Sequence, residues 1–140
     1  MRYPKKSYSP FDGRGSSASS ILPARSAADL KTVVAALSVL ATAGHDRMTV
    51  QQALFFLAAA YHGVMGQSAT VTRIREIYQP LGRSVEKSSL QFLAPGRVAP
   101  DALGWLEQHH DPDDRRVRYL HLTEDGEDVV AALVEAMRSA

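Results

Sequence analysis

The chain contains no cysteine, which excludes disulfides and thiolate metal sites and fits a cytoplasmic setting. It lacks the roughly 18 uninterrupted apolar residues of a membrane span. The charges near the N-terminus lead into no apolar run, so no secretory signal is expected. A glycine-rich phosphate loop, a nucleophile elbow and a pair of carboxylates in a pocket pattern are all missing. No enzyme activity, cofactor or metal is therefore expected. A large charge of either sign is missing too. The net charge is +1, which argues neither for nor against a nucleic-acid partner.

The distribution of charge says more than its sum. Residues 70–97 hold five basic side chains (Arg73, Arg75, Arg83, Lys87, Arg97) against two acids, whereas residues 101–140 hold ten acids against four arginines. A basic centre beside an acidic end is the pattern of a DNA-facing side and a solvent side. At 140 residues with 45% hydrophobic content, one domain with a real core is expected. Residues 1–25 are rich in Ser, Gly, Pro and basic side chains, and they read as a flexible basic arm. Residues 26–140 read as the folded domain.

Within that domain the pattern is mainly helical. Leu30, Val33, Val34, Leu37 and Leu40 recur at three- and four-residue steps, predicting a helix over 27–43 that Gly44 closes. Ser26 and Asp29 give it a weak capping box. Thr49 and Gln52 form a clearer one, opening a helix that is apolar nearly all round from Leu54 to Tyr61. Phe55, Phe56 and Tyr61 fit either core packing or an aromatic-ligand pocket. Val71, Ile74, Ile77 and Tyr78 predict a third helix, starting at Ser68 or Thr70. A break at 79–82 precedes a fourth over 84–93, with Ser84 as N-cap. Two short helices across a glycine-containing turn fit a helix-turn-helix over about 68–93. Residues 94–100, with Pro95 and Gly96, end the helix. Thr123 caps a last helix with Val129, Val130, Leu133 and Met137 on its apolar face.

The sharpest feature lies between. Two runs, 103–109 and 116–122, flank Asp111-Pro112-Asp113-Asp114. Proline presets φ there and Asp bonds its own backbone, so a tight hairpin is predicted. Arg115, Arg116 and Arg118 cluster just past the tip. Such a ribbon suits a phosphate backbone or a narrow minor groove. His109, His110 and His121 match no metal-ligand spacing, and strand alternation puts the first two on opposite faces.

Gly104-Trp105-Leu106-Glu107, then Asp111 through Arg116, then Leu122-Thr123-Glu124-Asp125-Gly126 resemble the wing of the MarR (multiple antibiotic resistance regulator) family in order and spacing. The resemblance spans roughly 48–139 and is sharpest over 104–126. It implies a winged helix-turn-helix with a two-stranded β wing over about 103–122, flanked by dimerisation helices. It also implies a homodimeric transcription regulator of double-stranded DNA, with the wing arginines in the minor groove. On that frame Ser84, Lys87, Ser88 and Gln91 are the candidate major-groove contacts, and Arg115, Arg116 and Arg118 the wing contacts. The sequence departs from the family in lacking the usual Thr-Val-Ser-Arg-like run after the turn and in its longer 94–100 connection. Near-neutral charge and a recognition helix without an interior arginine also suit a second function, a winged-helix adaptor that binds protein. Whether a small-molecule effector acts is not written in the sequence.

Overall fold

The computed structural model describes residues 21–45 and 47–140. The expected arm, 1–25, lies almost wholly outside the described residues. The described chain forms α1 (Arg25–Ala43), α2 (Val50–Val64), α3 (Val71–Ile77), a 3-10 turn (Gln79–Ser84), α4 (Val85–Leu90), β1 (Leu106–His110), β2 (Arg118–Leu122) and α5 (Glu124–Ser139). It is mainly helical with one two-stranded antiparallel hairpin, as expected.

Local chemistry sets most boundaries. In α2 the Gln52 N–H donates to Thr49 Oγ1 and the Thr49 N–H to Gln52 Oε1, each at 3.0 Å. That is the reciprocal capping box. Thr70 accepts the Arg73 N–H at 3.0 Å to start α3. Thr123 accepts the Gly126 N–H at 3.1 Å to start α5, whose first turn carries Glu124, Asp125 and Glu127 at the positive end of the helix dipole. The Ser26 cap expected for α1 does not form. The Pro23 carbonyl takes the Ser26 N–H at 2.9 Å, and the helix begins earlier, at Arg25.

Phe55, Phe56, Phe92 and Trp105 pack as one aromatic cluster at the centre, with Phe56–Trp105 edge-to-face at 4.9 Å and Phe56–Phe92 stacked at 5.3 Å. Leu40, Ile74, Leu81, Val85, Leu106 and Leu120 close around it. Phe55 and Phe56 are thus core, and Tyr61 is exposed, so the three do not line an aromatic-ligand pocket together.

Two expectations change. Helix four ends at Leu90 instead of Leu93, because the carbonyls of Gln91, Phe92 and Leu93 accept the N–H groups of Leu103, Leu106 and Gly104 at 2.8–3.0 Å. That ladder, with Gly104 at φ 69°, delays β1 to Leu106. The second strand starts at Arg118 instead of Arg116, because the turn runs on: Val117 N–H donates to the Asp114 carbonyl at 3.0 Å.

α1 packs along α5, where Ala36, Leu40, Val129 and Leu133 are buried. The apolar stripe of α5 is therefore largely covered within the chain. That of α1 is not: Leu30 is 61% exposed, Val33 53%, Val34 62% and Leu37 47%. By length and composition alone, at 19 residues and a mean hydropathy of 1.4, α1 is also apolar enough to cross a membrane. It is the one such helix among the described residues.

Candidate nucleic-acid interface

The hairpin is rooted from both sides. Leu106 pairs with Leu122, Gln108 with Leu120 and His110 with Arg118. On the outer edge of β2, Leu120 N–H donates to the Ala69 carbonyl at 2.9 Å, and Thr70 bridges Tyr119. This short third rung sets the start of α3 beside the hairpin. At the base, Thr123 Oγ1 donates to the Gly104 carbonyl at 2.6 Å and its N–H to the Trp105 carbonyl at 3.0 Å. Gly126 passes so close to Trp105 that a Cβ there would collide with the Trp105 carbonyl. Only glycine lets α5 begin at that point.

The tip organises itself through its acids. Asp111 Oδ1 accepts the N–H groups of Asp113 at 2.8 Å and Asp114 at 3.2 Å, the Asx geometry its sequence predicts. Asp111 Oδ2 accepts the Tyr119 hydroxyl at 3.2 Å, and that carboxylate raises the phenol above its ordinary value. Asp114 accepts the Arg116 N–H and Nε at 3.1 Å and its Nη2 at 3.3 Å. The side-chain bonds to Arg116, and then its backbone N–H, hold the Asp114 carboxyl below the ordinary 3.8. The Arg115 carbonyl accepts from His110 Nδ1 at 2.8 Å.

All three tip arginines are exposed, and Arg116 keeps 91% of its side chain in solvent despite its Asp114 partner. Among the described residues, the guanidinium groups of Arg115 and Arg118 have no hydrogen-bond or ion-pair partner. Arg116 and Arg118 border an open cleft of about 460 Å³ with Thr70, Val71, Thr72, Gln108 and Val117. Residues that carry two guanidinium groups, two hydroxyls and one amide thus border one cleft between the hairpin and the start of α3. Guanidinium forks and hydroxyls are the donors that phosphate oxygens take. Thr70, Thr72 and Gln108 did not stand out in the sequence. Each is a single neutral side chain; the Ala69–Leu120 rung brings Thr70 and Thr72, and the β1–β2 pairing Gln108, to the arginines.

The helix candidates fare differently. Lys87 is exposed on α4. Ser88 is 5% exposed and faces inward, so its expected role at base edges is corrected. In a six-residue helix whose Val85 and Ser89 are also buried, the inner face takes Ser88 as well. Gln91 lies past the end of α4 and is half-buried. It lines a different recess, of about 320 Å³, with His45, Arg47, Gln52 and residues 98–101. The structure therefore does not bring Gln91 to the hairpin cleft. The side chain of Ser84 lies outside what is described. Glu86, beside Lys87, accepts from Arg75 at 3.3 Å, so the outer face of α4 mixes charges.

Among the described residues, no group of three or more His, Asp or Glu side chains is arranged to hold a metal ion. Compared with protein-family models, characterised proteins and solved structures, the chain matches none.

Proposed function

We propose that the chain is a duplex-DNA-binding transcription regulator of winged-helix type, in which the hairpin is the wing and α3 with α4 the helix-turn-helix. One observation carries it: the exposed Arg116 and Arg118 stand over a cleft that also holds Thr70, Thr72 and Gln108. A sugar–phosphate strand lies in that cleft, Arg116 and Arg118 grip its phosphates, and Arg115 reaches outward from the tip. Lys87 is the contact from α4. The regulator is a homodimer of the MarR-like kind that the hairpin sequence resembles. A second copy covers Leu30, Val33, Val34 and Leu37 of α1, whose apolar surface is otherwise in water.

The test is affinity for random and selected duplexes by fluorescence anisotropy over a salt series. Phosphate contacts release counterions, so the logarithm of affinity falls linearly with that of salt, by about 0.9 per phosphate engaged. Light scattering on the same sample gives twice the chain mass. A flat salt response, or no binding at low salt, overturns the DNA function.

A second function is favoured by one observation. α4 turns Ser88 inward and pairs its outward Glu86 with Arg75, leaving few base-reading side chains. A winged-helix adaptor that binds protein through this face has no need of them. Its expected outcome in the same test is no duplex binding at low salt.

A further inference from the structure

The outer face of the hairpin carries a second cluster, away from the cleft. Strand alternation sets Glu107 and His109 on one face of β1, opposite His121 and Tyr119 of β2. The two imidazoles stack diagonally across the strands, ring centres 4.2 Å apart and planes 27° from parallel. His109 Nε2 lies 2.9 Å from Glu107 Oε1. His121 Nδ1 lies 3.5 Å from Ser68 Oγ. Glu127 of α5 lines the same recess as His121 and Ser68. Tyr119, beside His109, is bonded to Asp111. The stack is thus faced by Glu107 from β1, Tyr119 with Asp111 from β2 and the turn, and Glu127 from α5. The segment before α3 contributes the uncharged Ser68.

We propose that the His109–His121 stack is a proton-sensitive clasp across the hairpin, closed while one imidazole is neutral and loosened in mild acid. Loosening it weakens the hold of the tip arginines on duplex DNA, a regulation that rests on the function proposed above. Neutral rings stack as other flat rings do. A first proton gives an imidazolium that the Glu107 carboxylate balances. A second sets two cations face to face at 4.2 Å, well inside the Debye length of about 10 Å at 0.1 M salt, where screening is weak. Burial first, and His109 second, hold His121 below its ordinary 6.5, with Glu107 pulling the other way. The open hairpin takes up that proton more readily than the closed one. Closure is therefore favoured above pH 6.5 and is lost as the pH falls below it.

The test is amide hydrogen exchange of the free protein at pH 7.5 and 5.0, each corrected for its intrinsic rate, with duplex affinity measured at both. Amides between Glu107 and His121 lose protection at the lower pH, as a closure linked to the neutral form of His121 requires. Those of α2 keep theirs. His109→Gln, at an exposed side chain, lessens the loss, and His121→Gln abolishes it. Wild-type duplex affinity falls with pH more steeply than that of His109→Gln. Protection that falls equally in wild type and both variants, or falls in none, overturns the clasp. Loss of protection that is largest in the wild type and absent in His121→Gln, with no duplex binding at either pH, keeps the clasp and overturns the DNA function instead.

Discussion

Residues 111–118 and residues 84–91 are both short polar stretches, and each was a candidate to touch a nucleic acid. In the first, acids bind the backbone of their own turn and the three arginines are left outside. In the second, Val85, Ser88 and Ser89 go inward, and Phe92 just beyond enters the aromatic cluster. A turn that satisfies its own backbone can offer every cation to solvent. A helix of six residues that also anchors a core has one narrow outer face left. The hairpin is built to present chemistry, and α4 is built chiefly to pack.

The hardest blow to that contrast comes from the core side. Phe92→Ala removes a fully buried ring from the α4 end of the cluster and should cost about 3–5 kcal/mol in urea unfolding. A loss under 1 kcal/mol would mean that α4 is not a packing element. Next is the pair Arg116→Ala and Gln91→Ala on matched random and selected duplexes. Arg116→Ala should lower affinity by about 1–3 kcal/mol on every sequence and flatten the salt slope, with the melting temperature unmoved. Gln91→Ala, in its separate recess, should leave both affinity and sequence preference at wild-type values. A change of preference there would return base reading to this end of α4.

The smallest effect concerns Asp114. Its depressed carboxyl keeps the Arg116 pair intact at and above pH 3.8, and the pair is lost as the pH falls through the lower folded value. The Arg116 Nε resonance should stay constant from pH 7 to pH 5 and move only below pH 4. Asp114→Asn should mobilise that resonance at neutral pH and leave thermal stability unchanged, as expected of an exposed pair.

The sequence made the hairpin legible because its signals are local. Asp111-Pro112-Asp113-Asp114 dictates a turn, Thr123 dictates a cap, and both appear where they were read. The capping box at Thr49 was legible for the same reason. What could not be read depends on partners distant in sequence. The end of α4 is decided by residues 103–106, and Ser88 is buried on a helix that packs against α2. The stripe on α1 was read correctly as apolar. That α5 would cover only the Ala36 and Leu40 side of it is a matter of tertiary packing. The cleft was invisible because Thr70 and Gln108 are ordinary residues until a backbone rung and the β1–β2 pairing set them beside Arg116 and Arg118.

The side-chain hydrogen bonds that shape the hairpin tip all begin and end within residues 110–119. The tip is therefore a graftable cassette. Its residues can be exchanged or lengthened while Leu106, Leu120 and the aromatic cluster keep their places, so lineages and protein engineers alike can retune what the hairpin recognises without rebuilding the fold beneath it.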